Sequence, residues 1–113
     1  MIESFRFGKI VVDGVAYSRD IKIVENRVVA DWWRRRGHRV EIGDVEDLLA
    51  AAPEVLVIGR GQPGLMKASS ELRQRLRDQG IEMVEAKTAR AIDIFNRLCA
   101  SGRRVAAAFH VGC

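Results

Sequence analysis

The stretch VLVIGRGQPG, Val55 to Gly64, joins a short unbroken apolar run to a cluster of three glycines. An apolar run of this length, rich in Val and Ile and bounded by turn residues, fits a strand buried on both faces. Strands of that kind belong to sheets covered by helices, so the flanking segments should be helical. Upstream, VEDLLAAA reads as a helix with Asp44 as N-cap, Asp47 in the first turn and Pro53 at the exit. Downstream, Ser69 or Ser70 caps ELRQRLRDQ, which Gly80 closes in a left-handed conformation.

The same alternation continues to the end of the chain. IEMVEA is the next strand, and Thr88 caps the helix ARAIDIFNRLCAS, closed by Gly102. Ile92, Phe95 and Cys99 with Leu98 form its core-facing stripe, while Arg90, Asp93 and Arg97 point the other way. RRVAAAFHV is the last strand, and its alanines imply close approach of a helix over a central position. The first third has another rhythm. KIVV and VAY flank Asp13-Gly14, a hairpin dipeptide that accepts positive φ. Asp20 leads into IKIV, and Glu25-Asn26 turns the chain into RVVADWW. The order β-β-β-α-β-α-β-α-β is that of an α/β sheet, at least partly parallel, preceded by a hairpin layer. Residues alone leave the strand pairing and the direction of the last strand open.

Composition sets the outer bounds. The chain has 113 residues, 48% of them hydrophobic and 30% charged, as in a water-soluble globular domain. Two prolines and no linker-like stretch imply one domain over 1–113. A net charge of +4 suits an acidic partner or a phosphate-bearing ligand, but it also lies within what a small domain carries for solubility. Two cysteines cannot form a disulfide framework, MIESFRFGKI has no signal-like apolar run, and no stretch is long enough for a membrane helix. A cytoplasmic setting without membrane insertion is the expectation.

Three places could carry function. Gly59, Gly61 and Gly64 follow a buried strand, where glycines let backbone N–H groups approach an anion at a helix N-terminus. The run is not a Walker A loop, since Leu65-Met66 stand where Lys and Ser or Thr are needed. It matches GxGxxG by letter, yet Pro63 sits where the helix would have to begin. Gly59, Arg60, Gly61 and Lys67 remain a candidate anion loop, with Thr88 offering free N–H groups to the same crevice. A tight loop whose dihedrals demand glycine explains the same residues. Trp32, Trp33 and Arg35, within WWRRRGHR, have the composition of an interface hot spot. Nucleic-acid binding fits them less well, because a double tryptophan after an apolar segment reads more simply as core and interface. His110 and Cys113 are three apart, but two ligands do not make a metal site, and His38 lies in a distant segment. No catalytic, metal or cofactor pattern stands above a structural explanation.

VLVIGRG, MKASSEL, GIEMV, TARAIDIFNRL and GRRVAAAFHVGC together resemble the adipogenesis-associated Mth-type domain family. The N-terminal F-G-x-I-x-x-D-G-x-x-Y-x-x-D pattern, from Phe7 to Asp20, is similar as well, so the resemblance spans nearly the whole chain. It implies a three-layer α/β fold with a central mixed sheet, one strand antiparallel, flanking helices and an added N-terminal β-hairpin layer. The matching positions are Gly59, Gly61, Thr88, Asn96, Gly102, His110 and Cys113, and the family assigns none of them a catalytic role. Trp32 to Arg39 matches least, so a partner surface there would be particular to this chain. The family includes a protein linked to fat-cell differentiation and a mitochondrial assembly factor for respiratory complex I. The resemblance therefore implies a non-enzymatic interaction or assembly module with an unidentified protein partner, self-association included. A small-anion-binding protein or enzyme using Gly59–Lys67 is the alternative.

Overall fold

The computed structural model describes residues 1–112. Its strands in chain order are β1 (Ile2–Arg6), β2 (Lys9–Val12), β3 (Val15–Tyr17), β4 (Ile21–Val24), β5 (Arg27–Val29), β6 (Arg39–Val40), β7 (Val55–Gly59), β8 (Lys67–Ala68), β9 (Glu82–Ala86) and β10 (Val105–Phe109). The helices are α1 (Glu46–Ala50), α2 (Ser70–Asp78) and α3 (Thr88–Ala100). Among the described residues no helix is long and apolar enough to cross a membrane.

Hairpin chemistry builds the first half. Asp13 and Gly14 take φ of 47° and 82°, and Glu25 and Asn26 take 50° and 61°, the mirror-image turn that matches strand twist. Glu3 fastens the first turn by accepting hydrogen bonds from the N–H groups of Asp13 and Gly14 at 3.0 and 2.6 Å. β1, β2 and β3 form one antiparallel sheet, and β1 extends the β-layer beyond the KIVV–VAY hairpin legible in the sequence.

The second sheet has the order β5-β4-β10-β7-β9. β10 runs parallel to β7, and β7 to β9, while β4 and β5 are antiparallel. The sheet is thus mixed. The crossover β7-α2-β9 steps one way along it and β9-α3-β10 steps back. With right-handed connections the two helices must lie on opposite faces. Burial agrees: Leu72 and Leu76 of α2 pack with Leu48, Leu56, Ile58, Ala106 and Ala108. Ala91, Ile92 and Phe95 of α3 pack with Val55, Val57, Ala107, Phe109 and the apolar face of the three-stranded sheet. Both inner strands therefore feed two cores by alternate residues. In β10 three successive alanines keep the centre thin, and Phe109 meets Phe95 edge-on at 5.8 Å.

Two local expectations are corrected, and one strand pair is new. Asp44 does not cap α1; it ends a 3-10 turn over Ile42–Asp44, and its carboxylate accepts from the N–H groups of Glu41 and Arg35. Val45 occupies the N-cap position and has no side chain able to accept. The strand expected over RVVADWW stops at Val29, because Asp31 takes φ 51° and turns the chain. β6 and β8 form a short parallel pair that two residues apiece could not announce. Ser69 does cap α2, accepting from Leu72 N–H at 3.0 Å.

One side chain ties the two sheets' layers together. The Asn96 amide on α3 accepts from Ile2 N–H at 3.1 Å and donates to Ile2 C=O at 2.8 Å, completing the ladder of β1. Asn96→Ala should lower the urea-derived unfolding free energy by about 1–3 kcal/mol. The exposed neighbour substitution Arg97→Ala should change it by less than ~0.5 kcal/mol.

Candidate functional site

Gly59, Ala86 and Phe109 lie in register at the carboxyl ends of the three parallel strands. The loops that follow them converge on one edge of the sheet, the position where open α/β sheets bind ligands. The last strand is parallel to β7, so His110 and the glycine loop share that edge. Cys113 lies outside the described residues.

The glycine loop is held by its own chain. Arg60 N–H donates to Ala86 C=O at 2.8 Å, Gly61 N–H to Thr88 Oγ1 at 2.8 Å and Gln62 N–H to Gly112 C=O at 3.1 Å. Thr88 in turn donates its hydroxyl to His110 C=O at 2.6 Å, and His110 N–H donates to Gly59 C=O at 2.9 Å. Thr88 is not the helix cap expected of it: Lys87 holds that position, and buried Thr88 is spent joining two loops. The N–H groups of Thr88 and Ala89 are also directed inward, to Gly61 C=O and the Gln62 side chain. A Cβ on Gly59 would come within 2.7 Å of Phe109 Cδ1, and one on Gly61 within 2.6 Å of the His110 ring and Gly112 C=O. Close approach of backbone to side chain requires glycine at both positions. Arg60 turns its guanidinium to Met66 C=O at 2.9 Å, while Lys67 stands exposed on β8.

Beside this loop lies a cluster that the sequence reading did not assemble. Asp20, just ahead of β4, accepts at Oδ2 from Arg34 Nη1 at 2.7 Å and is 2.8 Å from His110 Nδ1. Its Oδ1 accepts from Val111 N–H at 2.8 Å. Burial alone would raise the Asp20 pKa. The hydrogen bonds from His110, Val111 N–H and Arg34 outweigh burial and hold it below the ordinary carboxylate value. Arg34 is fixed from two further sides, donating to Gly37 C=O at 2.7 Å and lying 4.6 Å over the Trp32 ring. Asp20 and His110 stand 90 residues apart; Asp20 closes one stretch of the family pattern and His110 lies within another. That shared membership was the signal available to sequence reasoning.

His110 Nε2 is covered and has no hydrogen-bond partner among the described residues. It is the atom a general base would use, and nothing outside can reach it in this arrangement. His38, distant in sequence, is brought edge-on to His110 at 5.6 Å, because Lys67 N–H donates to His38 C=O and draws its segment across the edge. Among the described residues no three His, Cys, Asp or Glu side chains are grouped to hold a metal ion. Cys99, half-buried on α3, has its thiol pKa raised by burial and is a packing residue.

A cavity of ≈ 630 Å³ opens over the cluster, with Gly8, Trp33, Gly37, His110 and Gly112 in its wall. The two tryptophans part company here. Trp32 is buried and donates its indole N–H to Asp44 C=O at 2.9 Å, whereas Trp33 is 76% exposed. Trp32 thus lies beneath Arg34 with part of its side chain in the cavity wall, and Trp33 stands out from the surface. Arg35 is exposed beside them.

The Asp20 tie has a pH signature. A depressed folded-state pKa means that the unfolded chain binds more protons in the acid range, so stability falls as pH drops. Asp20→Asn should cost about 3 kcal/mol at neutral pH, the scale for removing one partner of a buried ion pair. The difference from the parent chain, followed by urea denaturation, should persist down to pH ~4 and shrink below it.

A family model described as "Protein of unknown function (DUF498/DUF598)" matches residues 2–110. Among solved structures, the chain is similar to conserved hypothetical protein PH1505 from Pyrococcus horikoshii OT3. That likeness has 26% identity and a TM-score of 0.88, over 100% of this chain and 99% of that one. It is similar to a protein named MT938 at 28% identity and a TM-score of 0.83, over 100% and 98%. It also shares its fold with a Bordetella pertussis protein described as an Mth938-like domain, at 23% identity and a TM-score of 0.68, over 97% and 84%. The match over nearly every residue and the shared architecture lead to one assignment: the chain belongs to the DUF498/DUF598 family and carries an Mth938-type domain.

Proposed function

We propose that this protein is a non-enzymatic interaction module that engages another protein across the carboxyl edge of its sheet. One observation carries the reading. Of the five large hydrophobic side chains that stand exposed among the described residues, Phe7, Trp33 and Leu65 all project from loops at this edge. Phe7 sits on the β1–β2 turn, whose Gly8 N–H donates to Val111 C=O at 2.7 Å. Leu65 lies in the loop after β7, and Trp33 overhangs the cavity. Apolar side chains scattered singly over a surface need no explanation, but several at one edge of the sheet, one of them in the wall of a concavity, mark a contact site. Tryptophan is the residue type most enriched among interface hot spots. The resemblance to a family containing an assembly factor points the same way, and a cytoplasmic setting goes with it.

A second reading keeps the small anionic ligand at Gly59, Arg60, Gly61, Lys67 and Thr88. Lys87 supports it, since its side chain packs against Gly64 and brings a second cation to the loop beside Lys67. Against it stand the N–H groups of Arg60, Gly61 and Gln62, which are already bonded within the chain.

Two measurements separate these readings. Pull-down from the native cell extract should retain a partner on the parent chain and lose it on Trp33→Ser, with circular dichroism unchanged. A chain that stays strictly monomeric by light scattering and retains nothing, or a partner indifferent to Trp33, would overturn the first reading. Thermal-shift screening with nucleotides and phosphorylated metabolites tests the second: stabilisation by mass action should appear and vanish in Lys67→Ala. Absence of any stabilising anion would dismiss it.

A further inference from the structure

The exposed apolar residues at the carboxyl edge are accompanied by an excess of cations. Lys9, Arg35, Lys67, Lys87 and Arg90 are exposed there and make no ion pair among the described residues. Each sits on an element that begins or ends at this edge: the start of β2, the cavity wall segment, β8, and the start of α3. Carboxylates at the same edge are already occupied. Asp20 is taken by Arg34, His110 and Val111, and Glu85 by Arg73 and the N–H of Ala68. Asp31 on the rim faces Arg19 at 4.0 Å. At the opposite end Glu54 and Glu82 pair with Arg103 and Arg104. Arg75, Arg77 and Arg97 stand exposed there on the last turns of α2 and α3, with no large hydrophobic side chain exposed beside them among the described residues. At the carboxyl edge, then, unpaired cations coincide with exposed apolar side chains.

We infer that this edge docks an acidic polypeptide segment carrying a bulky apolar anchor, the anchor entering the ≈ 630 Å³ cavity beside Trp33. The inference rests on the interaction-module reading and names the partner's chemistry. Charge complementarity supplies the first half of the argument: uncompensated cations around an apolar centre attract an anionic chain and fix its register. Shape supplies the second. The cavity is concave, and its wall is largely apolar, which calls for a protruding hydrophobic side chain. A phosphodiester backbone has no such anchor. A flat anionic bilayer would leave the concavity unfilled.

The test uses the full chain, immobilised, against a phage library of random peptides. Enriched peptides are synthesised, and their affinity is read by fluorescence anisotropy. Expected are peptides in which Asp and Glu surround Leu, Phe or Trp. Their affinity should fall about tenfold in Lys67→Glu with Lys87→Glu, and also as salt is raised from low to physiological and beyond. Trp33→Ser should weaken them too, whereas Arg75→Glu with Arg77→Glu, an equal charge change on α2, should not. Enrichment of neutral or basic peptides that still need Trp33 would overturn the acidic partner while leaving the interaction module standing. Peptides indifferent to Trp33, or no enrichment at all, would overturn both. Tighter binding to a single-stranded RNA oligonucleotide, or to phosphatidylserine vesicles, than to any selected peptide would also overturn the inference.

Discussion

A carboxylate withdrawn from water needs donors, and Asp20 has three of them, drawn from two distant parts of the chain. Arg34 arrives from the segment after β5, His110 and Val111 from the end of β10, and Asp20 itself introduces β4. The antiparallel half of the sheet is thereby fastened to its parallel half at the edge where their strands end. Without that carboxylate, Arg34 would be a nearly buried cation with only backbone and an indole face for company, and the wall of the cavity would lose its frame. Fold and candidate surface share this single fixture.

The neighbouring glycine loop illustrates how position can mislead. Gly59 and Gly61 sit where a phosphate cradle would sit, on the carboxyl end of a buried strand ahead of a helix. The loop's backbone groups nevertheless serve Ala86, Thr88 and Gly112, and the missing side chains make room for Phe109 and His110. The loop is a seam between three strand ends. What it leaves open to solvent is its outer side, with Leu65, Lys67 and Lys87 exposed around it, at the same edge as Trp33.

Much of the architecture was legible because it is written locally. The run at Val55, the hairpin pairs Asp13-Gly14 and Glu25-Asn26, the Ser69 cap and the Ile92–Phe95 stripe each declare an element within a few residues. Mixed pairing of the sheet came from the family resemblance, since alternation of strand and helix implies parallel neighbours and gives no antiparallel strand. The site was harder to read. Asp20 meets His110 across 90 residues, His38 is drawn in by one backbone hydrogen bond from Lys67, and Trp32 differs from Trp33 only by the turn at Asp31. Local rules misplaced Asp44 and Thr88 for the same reason. Both have the composition of a helix cap, but tertiary contacts claimed their oxygens for other donors.

The position of β10 constrains how the molecule comes into being. It lies between β4 and β7, yet its residues are polymerised after both, so the sheet has a gap at its centre until Val105–Phe109 emerges. Until then the inner edges of β4 and β7 are unpaired, and neither core has its alanine floor. Pairing β10 with β4 closes a loop that spans most of the chain, which makes the topology one of high contact order. The ordering of the chain thus favours cooperative, late assembly during synthesis over the piecewise folding of an N-terminal subdomain.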